Sequence, residues 1–184
     1  TANSSPDDVI RCLATATDDV AGTGSDTAEI TVENTDPVIA SVSISPSGAI
    51  DTTTTLTCSV SSSDADGDTP TETYQWTNES TEEVLGTEAE VTLTPATAQP
   101  EHTVRCTATV ADADGGTASD SAEITVDNTA PEITAVSISP DEGVVTSTDL
   151  SCSAEASDDD EETPSISYAW TNTTQGTELG SEAS

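Results

Sequence analysis

Phenylalanine, methionine and lysine are absent from the 184 residues, histidine occurs once, at His102, and arginine twice, at Arg11 and Arg105. With 36 acidic side chains the formal net charge is −34. Such a surface has no basic patch to hold phosphate, so nucleic acid and bare membrane are poor partners, whereas cations are attracted. No run approaches the roughly 20 apolar residues of a membrane span. No basic segment followed by an apolar one opens the chain, so no direct membrane insertion is expected here and any targeting element is expected outside this segment. Two tryptophans and two tyrosines leave little for a large aromatic core.

High charge with few aromatics often means disorder. The arrangement of the apolar residues argues otherwise, because they alternate in strand patterns. Those patterns also recur. A shift of 94 positions aligns the chain with itself without a gap: Pro37–Pro46 falls on Pro131–Pro140, Leu56 and Cys58 on Leu150 and Cys152, and Tyr74, Trp76 and Asn78 on Tyr168, Trp170 and Asn172. Arg11 and Cys12 likewise fall on Arg105 and Cys106, and Ala28–Val32 on Ala122–Val126. A fixed period of this kind is the signature of a repeat architecture. The expected organisation is a complete repeat over 36–129, the C-terminal part of a preceding repeat over 1–35, and the N-terminal part of a following one over 130–184. The segment reads as a window cut from a longer polymer or polypeptide.

Within the repeat, short runs of period-two alternation are separated by Gly, Pro, Asp and Ser turns, with no helical pattern. Val38, Ala40, Val42 and Ile44 are expected on one face, then Leu56, Cys58 and Val60, then Tyr74 and Trp76, then Ala89, Val91 and Leu93. Val104, Cys106, Ala108 and Val110 follow, and Ala122, Ile124 and Val126 end the series. Thr and Ser fill most alternate positions, as suits a solvated strand face. Six or seven half-buried strands in 94 residues predict an all-β fold of antiparallel sandwiches.

Cys58 and Cys106 fall in the second and penultimate strands, both inward, with Trp76 on the strand after the first cysteine. This resembles the immunoglobulin pattern, and the repeat is similar to the immunoglobulin-like, PKD-like and cadherin-like modules of large bacterial and archaeal surface proteins. The tyrosine two residues before the second cysteine is Val104 here, and the PKD-type Trp-Asp-Phe-Gly-Asp signature is absent. The resemblance implies one inter-sheet disulfide per repeat, Cys58–Cys106, packed on Trp76. Closing 48 residues would contribute about 4 kcal/mol by restricting the unfolded chain. No Cys-x-x-Cys pair points to zinc or redox chemistry, and a disulfide implies an extracellular, cell-surface location. Cys12 and Cys152 are left without partners in their own partial repeats.

Given that pairing, the two acidic loops that begin six residues after each cysteine, at Asp64, Asp66 and Asp68 and at Asp112 and Asp114, emerge at one end. The linker with Asn34 and Asp36 is expected to pass beside them. By the same logic Asp127 and Asn128 approach Asp158 and Asp160. Converging carboxylates and amides would supply the six to eight hard oxygens that Ca²⁺ prefers, and Val126–Pro131 resembles the cadherin Asp-Asn-Ala-Pro linker. Ordinary Asp/Gly turns are the plain alternative, and Val20 stands where Asp114 does in the preceding repeat. No EF-hand is present, since Gln75 occupies the place of its closing glutamate.

Asn3, Asn78 and Asn172 open glycosylation sequons. His102, which aligns with Asp8, is expected to be exposed at a strand start, and no nucleophile or pocket accompanies it, so no enzymatic activity is expected. Tyr74 and Trp76 point inward and offer sugars no stacking platform. The expected function is therefore an extracellular fibre, stalk or filament of tandem repeats, stiffened by calcium at the junctions. Its partners would be neighbouring repeats of the same chain or identical subunits, with a surface glycan or protein at a distal tip. A continuous polypeptide is favoured over separate subunits because half-sandwiches leave long unpaired edges. The alternative is an adhesin or ligand-binding module.

Overall fold

Threonine and serine alternate with apolar residues along most of the chain, and such a pattern suits pleated, half-buried strands. The computed structural model describes residues 4–181, which form strands, turns and loops with no helix. In chain order the strands are β1 (Val9–Thr17), β2 (Thr23–Thr31), β3 (Val38–Ser45), β4 (Thr55–Ser63), β5 (Thr71–Asn78), β6 (Glu83–Gly86) and β7 (Glu90–Thr92). They continue with β8 (Thr103–Ala111), β9 (Thr117–Thr125), β10 (Glu132–Ser139), β11 (Ser151–Ser157), β12 (Trp170–Asn172) and β13 (Thr177–Gly180). Two compact units divide the described residues. The first holds residues 4–47, 55–92 and 103–124, the second 48–54, 93–102 and 125–181.

The first unit contains the β1–β2 hairpin and two antiparallel sheets of order β3-β4-β7 and β6-β5-β8-β9. A disulfide between Cys58 on β4 and Cys106 on β8 joins the two sheets into a sandwich-like body, its Cα atoms 6.3 Å apart. On β8 the inward residues Val104, Cys106, Ala108 and Val110 are fully buried, as the alternation requires. Trp76 lies opposite Cys106 in the β5–β8 register and is fully buried. Its indole N–H donates to the Glu88 carbonyl at 3.0 Å, which satisfies the one polar atom the ring takes inside.

Two expectations need correction, at Val38 and at His102. Between Ile39 and Ser41 the β3–β4 register slips by one residue. This bulge reverses the alternation at the strand's start, so Val38 is 61% exposed while Ile39 turns inward. Tyr74, on the same strand face as Trp76, is half-buried, and its hydroxyl donates to Glu72 Oε2 at 2.6 Å. That bond, reinforced by partial burial, pushes the phenol up to about 12. His102, in the second unit, is half-buried, its Nδ1 accepting the Gln99 amide at 3.2 Å. That contact helps tie the turn before β8.

The second unit contains the β10–β11 and β12–β13 pairs and a buried group of Ile50, Leu93, Ala98 and Val126. Several of its local pairings match those of the first, 94 positions on. Ile44 pairs with Cys58, and Ile138 with Cys152. The bulge at Ile39/Ser41 reappears at Ile133/Ala135, and the one beside Trp76 reappears beside Trp170. The Asp7 and Glu101 amides bond the Val32 and Val126 carbonyls in the same way.

Candidate functional site: the acidic loops beside the linkers

Aspartate builds each loop by bonding its own backbone. Asp112 Oδ1 accepts the amides of Asp114 at 2.9 Å and Gly116 at 2.7 Å, folding Asp112–Gly116 into a tight turn. Gly115 takes a φ of +98°, a conformation that glycine adopts without cost. In the β1–β2 hairpin Asp18 makes the equivalent bonds to the amides of Val20 and Gly22. Val20 can therefore replace Asp114 there, because the turn uses that position's amide and not its side chain. Asp64 Oδ1 likewise accepts the Asp66 amide at 2.7 Å.

These turns grip the linker. Asp66 Oδ2 accepts the Thr35 amide at 2.7 Å, and Asp112 Oδ2 accepts Asn34 Nδ2 at 2.9 Å. Asp36 joins them: a Cβ added to Gly116 would collide with Asp112 Oδ2 and lie 2.6 Å from Asp36 Oδ1 and 3.0 Å from Asn34 Nδ2. Glycine is required for the linker to come this close. Thus Asn34 and Asp36 lie against the Asp112 turn, and Thr35 against the turn that Asp64 and Asp66 form.

The electrostatics of this cluster are strained. The Asn34 amide holds the Asp112 carboxyl below the usual range, helped by the backbone amides of its turn. Asp114 moves the other way: desolvation first, then the charges of Asp68, Asp112, Asp7 and Asp66, raise its carboxyl above the ordinary value. Asp7 had no sequence signal pointing to this loop, since it lies more than a hundred residues from Asp114 in the chain and only the fold brings the two together.

Calcium was the expected resident of this place, and the donor chemistry suits it. Two buried oxygens, Asn34 Oδ1 and Asp64 Oδ2, have no hydrogen-bond partner, and an orphaned buried acceptor is costly unless something positive answers it. Among the described residues no three acidic, histidine or cysteine side chains converge tightly enough to form a ready-made metal cage. A cation held here would depend on Asn34 turning its amide oxygen toward Asp36, Asp64 and Asp112. It would supply countercharge and no redox or hydrolytic chemistry.

The second linker is gripped by the same backbone bond, with different side chains around it. Asp160, fully buried, accepts the Thr52 hydroxyl at 2.9 Å and the Thr129 amide at 2.6 Å. Asp127 and Ile50 exchange bonds, the Ile50 amide reaching Asp127 Oδ2 at 3.1 Å and the Asp127 amide reaching the Ile50 carbonyl at 2.6 Å. Asn128 donates to the Thr129 carbonyl, and Asp158 accepts the Asp160 amide. Ala130 stands where Asp36 does in the first linker, removing one carboxylate. Direct hydrogen bonds therefore secure this joint. Thr52 went unnoticed in the sequence because it is one of a run of threonines at 52–55.

Of the sequon asparagines, Asn3 lies outside the described residues. Asn78 is fully buried and its Oδ1 accepts the Ser80 amide at 3.0 Å, so the folded chain leaves no room for a glycan there. Asn172 is half-buried and makes the same turn with Thr174. Among the described residues no helix is long and apolar enough to cross a membrane. No family model matches the chain, and no curated protein is significantly similar to it in sequence.

Proposed function

We propose that this chain is a structural stretch of an extracellular fibre, stalk or filament at the cell surface, built from tandem immunoglobulin-like sandwiches of 94 residues and without enzymatic activity. Residues 36–129 would be one complete repeat, flanked by parts of its neighbours. The carrying observation is the recurrence of the linker grip: the Thr35 amide on Asp66 and, 94 positions on, the Thr129 amide on Asp160. A binding module needs variable loops; a load-bearing array needs the same joint in every copy. Repeated strand registers, and a disulfide between facing sheets beside a buried tryptophan, support the sandwich being immunoglobulin-like. The disulfide is compatible with an oxidising location outside the cell.

Calcium has a specific task in this reading. Asn34, Asp36, Asp64 and Asp112 would hold it, so that it offsets repulsion among the surrounding carboxylates and fixes the linker. Electron microscopy of the longer array, with calcium and with a chelator, tests both levels. Beads about 4 nm apart are expected from strands of this length, with rods becoming limp on chelation. Rods indifferent to chelator would remove calcium from the mechanism. A particle without beading would overturn the array itself.

A further inference from the structure

Two apolar faces in the structure match as halves of one sandwich. The β10–β13 region carries a groove of about 370 Å³ lined by Val136, Ile138, Cys152, Ala154, Tyr168 and Trp170. Ile138 is 51% exposed there, whereas Ile44, its counterpart in the disulfide-linked body, is 9% exposed. The β1–β2 hairpin has the opposite deficit: Ile10 is 43% exposed where Val104 is fully buried. Cys12 and Cys152 are both free thiols, one on each face.

We infer that the β10–β13 face takes the β1–β2 hairpin of a second copy of this chain, and that Cys152 then forms a disulfide with Cys12 of that copy. The inference rests on the proposed repeat reading in one respect, that the two faces are halves of the same kind of unit. The first unit supplies the template. There β8 lies beside β5, with Cys106 opposite Trp76, Ala108 opposite Tyr74 and Val104 opposite Asn78. Subtracting or adding the period puts Cys12 opposite Trp170, Ala14 opposite Tyr168 and Ile10 opposite Asn172. Small residues meet large ones at the first two of these steps, as they do between β8 and β5. One contact is not reproduced, since Glu79, which pairs with Arg105 at 3.2 Å, becomes Thr173. Because each copy carries both faces, the contact is head-to-tail and joins successive copies into a chain of copies, open or closed into a ring.

The bond needs an oxidant, and glutathione disulfide suffices. The Cys12 thiolate attacks one of its sulfurs and releases one glutathione. The Cys152 thiolate of the second copy then attacks the Cys12 sulfur of the mixed disulfide and releases another, so two cysteine thiols are oxidised and two glutathiones carry away the protons and electrons. Repulsion between copies of charge −34 opposes the encounter. The test therefore uses about 1 M NaCl, where screening acts within about 3 Å.

An equal mixture of ¹⁴N- and ¹⁵N-labelled 184-residue chain, oxidised with glutathione disulfide, is expected to give a ladder on a non-reducing gel. Mass mapping should find a Cys12–Cys152 peptide pair of mixed isotope. Ile138→Asp changes a residue already exposed in the single copy, so Cys58–Cys106 should still form while the ladder disappears. Monomers, Cys12–Cys12 or Cys152–Cys152 bonds, pairs of one isotope only, or a ladder untouched by Ile138→Asp would each overturn the inference. Those results would leave the tandem-array reading standing, because it rests on the linkers and on the Cys58–Cys106 body.

Discussion

Replacing Cys58 and Cys106 together by alanine should lower the melting temperature of the disulfide-linked body by roughly 20 °C. The bridge closes 48 residues, and the loop-entropy relation gives about 4 kcal/mol for that length. A domain of this size shifts by roughly 4–8 °C per kcal/mol, and total stability is commonly only 5–15 kcal/mol. The loss falls on a core with no phenylalanine or methionine, where Trp76 and a few aliphatic side chains supply most of the buried volume. Trp76 is the natural reporter. In a Trp170→Phe background it is the only tryptophan, and its emission should move to longer wavelength as the sandwich opens. Thermal melts of that variant, with and without the cysteine pair, make the comparison. A drop of about 5 °C or less would refute the argument that the thin core depends on its staple.

Other expectations follow from the joints and the strands. Asp160→Ala leaves the Thr52 hydroxyl and the Thr129 amide without their acceptor and should cost about 2–3 kcal/mol in local stability, seen as faster hydrogen exchange at Thr129; Thr52→Val should cost less, about 1 kcal/mol. Carboxyl NMR titration should place Asp112 below and Asp114 above the ordinary aspartate value of 3.8. Asp112 then contributes stability that is lost as the pH falls through its lowered value. Asp114 does the reverse, its destabilising share being relieved as the pH falls through its raised value. Added calcium should move the Asp114 midpoint downward, and an unmoved midpoint counts against a cation at that loop. Val38→Thr should be neutral to within about 0.5 kcal/mol, whereas Ile39→Thr should lower stability measurably in urea melts, because the bulge turns Ile39 and not Val38 inward.

The two-residue period made the strands legible: Leu56, Cys58 and the four inward residues of β8 are buried where alternation puts them. It failed at β3 for a physical reason. Val38, Ile39, Ala40 and Val42 are all apolar, so both phases of the strand look alike and only the register with β4 selects one. The sequence around Asn78 satisfies a sequon and an asparagine turn equally well, and only burial separates them. At the loops, Asp64, Asp112, Asn34 and Asp36 could be brought together on paper once the two cysteines were paired. Asp7 and Thr52 could not, since their meeting depends on how segments distant in sequence come to rest beside one another.

In the proposed array the amide of Thr35 bonded to Asp66 would have a mechanical meaning. Tension arriving along the linker would meet this bond before it reached β3, whose hydrogen bonds to β4 run across the direction of pull. Loaded along its own axis, β3 must shear many bonds at once and cannot be peeled away one at a time. A chain anchored like this should yield abruptly at high force, with little creep beforehand.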